Sequence, residues 1–143
     1  MIFVLLTVVF IFSNSLKTRD ESKQDSDFFV RIIDPFVERL FGRKTEDLGF
    51  VVRKLAHITE FCLLGLGVAG LICKSDFKNK RELYGYGIFG VLSVAVIDEF
   101  IQSFSDRGSA VDDVLIDFCG AVIGFGIIFL ISAVFSDKNA RNR

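Results

Sequence analysis

Long apolar runs alternate with charged stretches along this chain, and the alternation sets its elements. Residues 2–13 (IFVLLTVVFIFS) carry no charge, and the run extends to Leu16. Residues 55–73 hold only His57 and Glu60 among their apolar neighbours. Residues 83–97 are uncharged, and the pattern continues through Asp98, Glu99 and Gln102 to Phe104. Residues 114–135 contain a single charge, Asp117. Crossing the hydrocarbon core takes about 20 mostly apolar residues in a helix. The last three runs meet that length. The first is short and must tilt little or thin the bilayer locally. It lacks a basic leading region and an A-x-A cleavage site, so it reads as a span and not as a signal peptide. The pattern predicts an all-α integral membrane bundle of four transmembrane helices, at about 2–16, 46–73, 83–104 and 112–135, forming a single domain over 1–143.

The stretch between the first two spans has a pattern of its own. Residues 17–27 (KTRDESKQDSD) read as a solvated polar linker. Residues 28–41 place Phe29, Ile33, Phe36, Val37, Leu40 and Phe41 on one helical face, with Arg31, Asp34, Glu38 and Arg39 opposite. Asp34-Pro35 resembles an N-cap with proline at the first helical position, and Gly42 resembles a stop. A short amphipathic helix in the membrane interface is expected here. Thr45-Glu46-Asp47 reads as the cap and acidic first turn of the next long helix.

Composition agrees and narrows the choice of function. At 51% hydrophobic residues and a mean hydropathy of +0.48, the chain is too apolar for an ordinary soluble domain or a disordered one. A formal charge of −1 lacks the basic excess of a nucleic-acid binder. Cys62, Cys73 and Cys119 have no metal-like spacing and form no disulfide framework; they read as small apolar residues. Lys74, Lys78, Lys80 and Arg81 lie in one short connection, and Lys138, Arg141 and Arg143 in the tail. The positive-inside rule puts both segments, and hence both termini, on the cytoplasmic side of the cell membrane. The connection 14–52 also carries many cations, but long loops translocate largely regardless of charge.

The polar residues within the apolar runs carry the chemistry. A charged residue at a helix centre costs about 2.5–3.5 kcal/mol to insert, so such groups need partners, water or the interface. Arg53, His57 and Glu60 form one stripe at i, i+4 and i+7. Asp98, Glu99 and Gln102 close the third run. Asp113 and Asp117 open the fourth, and their stripe continues as Gly120 and Gly124. All three groups fall at the same end of the bundle, with Arg107 in the connection above them. Each has a bland reading: His57 as a packed, hydrogen-bonded side chain, the other polar groups as interhelical glue of about 0.6 kcal/mol apiece. Gly65, Gly67, Gly70, Gly85, Gly87, Gly90, Gly120, Gly124 and Gly126 all read as close-packing residues. The bland readings leave the coincidence of the groups at one face unexplained.

Arg53-Lys54-x-x-His57-x-x-Glu60-Phe61 resembles a signature of the VanZ-like membrane protein family. Asp98-Glu99-x-x-Gln102-x-Phe104, followed by Arg107 and Asp113-Val114, resembles its second polar block. Asp117 with Gly120-Ala121 resembles its closing block, and Phe12-Ser13-Asn14-Ser15 the serine-rich end of its first helix. The resemblance runs from about residue 5 to 126. Phe61 stands where the family often has tyrosine, and Ser105-Asp106 where it has Pro-Gly. The resemblance implies a multi-pass membrane protein connected with resistance to glycopeptide antibiotics of the teicoplanin type.

These residues suit an interface-level cluster in an enzyme or binder for a membrane lipid or lipid-linked cell-envelope molecule. Arg53, Lys54 and Arg107 would hold phosphate or carboxylate. Gln102, Asp113 and Asp117 complete the ligand-binding set. His57, with Glu60 fixing its tautomer, and Glu99 are the candidate acid–base groups. A His-x-x-Glu helix facing carboxylates also has ingredients of a hard-cation site; without a second histidine, no metal ligand and no cofactor is assigned. A third reading is a non-enzymatic interaction or assembly protein whose polar cluster only fixes helix packing. A transporter is disfavoured, because no charged path continues to the other half of the bundle and no inverted repeat is present.

Overall fold

A computed structural model describes residues 1–41, 48–105 and 110–141, with the side chains of 36–41 and 136–141 outside the description. The described residues form five helices: α1 (Ile2–Ser15), α2 (Arg19–Phe41), α3 (Leu48–Lys74), α4 (Lys80–Ser103) and α5 (Val111–Arg141). The protein is an all-α membrane bundle. Leu48–Lys74, Lys80–Ser103 and Val111–Phe135 are each long and apolar enough to cross a bilayer. α1 has 14 residues, or about 21 Å at 1.5 Å per residue, against a hydrocarbon core of about 30 Å. It qualifies only together with α2, from which it is bent by 109°.

The second helix corrects the expected linker. Residues 19–27 are helical and continuous with 28–41. Thr18 and Glu21 account for the start: Thr18 N–H and Oγ1 both donate to Glu21 Oε2, at 2.8 Å each, and Glu21 N–H returns a 3.4 Å bond to Thr18 Oγ1. This is a capping box. The same bonds hold the Glu21 carboxyl below the usual glutamate value. Ser22 and Ser26 then bury one face, and Ser26 Oγ donates to the Ser22 carbonyl. Pro35 lies inside the helix instead of opening one. Phe28, Phe29, Ile32 and Ile33 remain exposed along a helix nearly perpendicular to α1, the geometry of an interfacial amphipathic helix. Gly42 and Thr45-Glu46-Asp47, read as a stop and a start, lie outside the described residues.

α3 is the central helix, packed against α1, α2, α4 and α5. Hydrocarbon gives no hydrophobic force between helices, so contact relies on close approach and polar bonds. The α3–α5 crossing uses small residues. A Cβ at Gly120 would lie 2.5 Å from the Ile58 carbonyl oxygen, and one at Gly65 would overlap the Ala121 carbonyl. The core is Ile11, Phe61, Leu64, Ala69, Ile72, Val91, Ala95, Ala121 and Phe125. Not every glycine serves packing: Gly70, Gly85, Gly90 and Gly126 have nothing within 4 Å of a notional Cβ. The exposed faces are apolar, among them Phe3, Phe10, Phe89, Phe100, Phe129 and Leu130, as lipid contact requires. α4 starts at Lys80, three residues before its apolar run, and Lys80 Nζ donates to the Cys73 carbonyl at the end of α3 (2.9 Å).

Candidate functional site

The end of α1, the first half of α3, the end of α4 and the start of α5 meet at one end of the bundle, with the start of α2 beside them. There they enclose a cavity of about 170 Å³, lined by Arg19, Phe50, Arg53, Lys54, His57, Glu99, Gln102, Asp113, Ile116 and Asp117. Helical spacing explains the α3 contribution: Phe50, Arg53, Lys54 and His57 recur every three or four residues and share a face. Asp113 and Asp117 do the same on α5.

A polar network ties the helices together around this cavity. Lys54 Nζ donates to Asp113 Oδ1 and lies 5.2 Å from the Phe50 ring centroid. Asp98 is fully buried. Its Oδ1 accepts from Ser15 Oγ of α1, and its Oδ2 accepts from Gln102 Nε2 one turn on, at 2.8 Å. Asn14 Nδ2 donates to Glu60 Oε1 at 2.8 Å, joining α1 to α3. Glu99 Oε2 accepts from the Ala110 N–H at 3.1 Å, linking α4 to the residue before α5. Ser105 Oγ donates to the Ser15 carbonyl at 3.1 Å. His57 Nδ1 stands 3.6 Å from Asp117 Oδ1 and 3.9 Å from Asp98 Oδ2.

Seven of the residues assigned from sequence therefore line one cavity: Arg53, Lys54, His57, Glu99, Gln102, Asp113 and Asp117. Glu60 instead bonds to Asn14 and is not among the lining residues. Arg107 lies outside the described residues. Sequence reasoning gave site roles to neither Arg19 nor Asp98. Arg19 was hidden by the reading of 17–27 as linker; the Thr18-x-x-Glu21 capping signal would have placed it at a helix start. Asp98 was passed over for its neighbour Glu99, because adjacent helical residues point about 100° apart and the phase of α4 was not fixed.

Chemically, the cavity pairs cations with carboxylates at one end of the bundle. Two atoms stand out. Arg53 Nε and Asp117 Oδ2 are both buried and have no hydrogen-bond partner among the described residues. A buried unmet donor costs about 1–3 kcal/mol; an anionic ligand or water would satisfy Arg53.

In comparison with known proteins, the family model described as VanZ/LLP1 matches residues 1–132. No curated protein and no solved structure matches the chain.

Proposed function

The chain belongs to the VanZ/LLP1 family, and on that premise we propose that it binds an anionic headgroup of a membrane lipid or lipid-linked envelope molecule at the outer membrane face. The observation that carries this reading is Arg53: a guanidinium lining a polar cavity at the bundle end, with a buried Nε that no described residue satisfies. Its planar fork matches phosphate or carboxylate in two places. Arg19 and Lys54 add positive charge to the same wall. Catalysis by His57 and Glu99, which line the cavity, would act on that headgroup, with Glu60 set back against Asn14, and the link to glycopeptide tolerance would follow from handling an envelope component. The test is co-purification: the protein drawn from native membranes in mild detergent should carry a bound anionic lipid, identifiable by mass spectrometry. Arg53→Gln should reduce that lipid at least about tenfold, the loss of one charge-assisted bidentate contact. Wild-type protein free of lipid, or equal lipid in the variant, would end the proposal.

The outer-face placement rests on the short-loop cations. With Cys62, Cys73 and Cys119 replaced, a cysteine at Lys78 should resist a membrane-impermeant thiol reagent in intact cells, while one at Ser109 reacts. The reverse labelling would put the cavity on the cytoplasmic side.

One observation favours the structural reading. The contacts of Asn14 with Glu60, Ser15 with Asp98, and Lys54 with Asp113 each join two different helices. On that reading the cluster is assembly glue, and the protein is a non-enzymatic membrane interaction partner.

A further inference from the structure

We infer that His57, Asp98 and Asp117 form a divalent transition-metal site of the zinc class. The three residues come from α3, α4 and α5, and each offers one ligand atom, all within 4.8 Å of one another. Zinc binds imidazole nitrogen and carboxylate oxygen at about 2.0–2.2 Å, which in a tetrahedral site separates neighbouring ligand atoms by roughly 3.3–3.6 Å. His57 Nδ1 is 3.6 Å from Asp117 Oδ1 and 3.9 Å from Asp98 Oδ2, so these two edges are within a few tenths of an ångström of that separation, and the third is no longer than 4.8 Å. The spacing is too wide for good direct hydrogen bonds between these atoms.

Burial and charge point the same way. Asp98 and Asp117 are 0% and 1% exposed. Two carboxylates brought together away from water repel each other unless a shared proton or a cation lies between them. A protonated imidazole supplies one unit; a divalent ion supplies two. Asp117 Oδ2 is an independent sign: it is buried without a hydrogen-bond partner among the described residues, an acceptor with no donor. Asp98, by contrast, accepts from Ser15 on Oδ1 and from Gln102 on Oδ2, as outer partners hold metal-binding carboxylates. One imidazole with two carboxylates suits zinc, manganese or iron(II) better than calcium or magnesium, which prefer all-oxygen shells. His57 and Asp117 also line the cavity, so the remaining coordination positions would open toward it. The site does not depend on headgroup binding by Arg53.

The test uses full-length protein in mild detergent, purified without chelator, with metal measured by plasma mass spectrometry. About one equivalent of a divalent transition metal per chain is expected. Stripping with a chelator should lower the melting temperature, and zinc ion alone should restore it. His57→Gln and Asp117→Asn should each cut metal content about tenfold or more, whereas Ser93→Ala, a half-buried α4 residue whose hydroxyl donates to the Phe89 carbonyl, should not. Ser15→Ala should weaken affinity about 10–100-fold, the usual cost of losing an outer partner. Arg53→Gln should lose lipid and keep metal, which separates this site from the headgroup proposal. Folded wild-type protein with under roughly a tenth of an equivalent of metal, and no thermal response to excess zinc, would overturn the site whatever the variants do. Metal retained in both His57→Gln and Asp117→Asn would remove these ligands from it.

Discussion

Gly124→Leu should abolish the packed bundle, while Gly126→Leu, two residues further along the same helix, should leave it intact. A Cβ at Gly124 would overlap the Cys62 carbonyl and lie 2.7 Å from the Leu66 backbone nitrogen. Both are backbone atoms of α3, and no side-chain rotation moves them. Overpacking a well-filled interior costs about 1–3 kcal/mol where side chains can yield; here the helices themselves must separate. Their separation would also release the α5 residues that line the cavity. At Gly126 nothing lies within 4 Å of a notional Cβ, so an added leucine meets lipid. Expression in membranes and thermal unfolding in detergent report the difference. A Gly124→Leu protein melting at the wild-type temperature would contradict the close α3–α5 crossing.

Compared in metal-stripped protein, Asp98→Leu should destabilise the fold by about 1–3 kcal/mol, the penalty for stranding buried donors, whereas Asp98→Asn should stay within about 1 kcal/mol of wild type. The argument rests on partners. Asp98 accepts from Ser15 Oγ and from Gln102 Nε2. Leucine accepts from neither. Ser15 retains its 3.1 Å bond to the Ile11 carbonyl, but the buried Gln102 amide loses its acceptor. Asparagine keeps one acceptor oxygen, and its new N–H₂ can face the oxygen of a turned Gln102 amide. A generic polar contact between membrane helices is worth only about 0.6 kcal/mol, so a loss of that size for leucine would demote Asp98 from a hub to ordinary glue. Thermal unfolding of both variants in one detergent makes the comparison.

The legible part of the fold followed from a single physical constraint. Charges are costly in hydrocarbon, so runs nearly free of charge at 55–73, 83–97 and 114–135 mark α3, α4 and α5 without knowledge of packing. The Arg53–His57 half-stripe was legible for a related reason: residues one turn apart on a helix must share a face. Residues 17–27 were not legible from periodicity. Their helix is nucleated by a capping box and held by two buried serines, neither of which leaves an apolar pattern. Pro35 misled because proline is common at helix starts, yet a helix already begun sixteen positions earlier carries it inside. The glycines separate only with tertiary contacts in hand: Gly120 and Gly124 meet backbone, whereas Gly85 and Gly90 meet nothing. Asp98 and Glu99 posed the same difficulty. Both are buried, but Asp98 joins α1 to α4 and approaches His57, while Glu99 caps the approach to α5, and only three-dimensional phase assigns those roles.

The central claim is that this polar cavity acts on a ligand and does not merely hold helices together. It is tested most directly by a paired measurement on His57→Gln and Glu99→Gln, which keep approximate size and some hydrogen bonding. Melting temperature and membrane expression are read against bound envelope lipid and drug tolerance in a host lacking its own copy. Neutral isosteres lower the cost of burial, so both variants should express and, with all samples stripped of metal by chelator, melt close to wild type. His57→Gln loses its titratable base, and Glu99→Gln its charge. The account predicts normal folding with binding or tolerance lost in both. Two well-folded variants that retain full lipid binding and full tolerance would contradict it and leave the cluster as assembly glue.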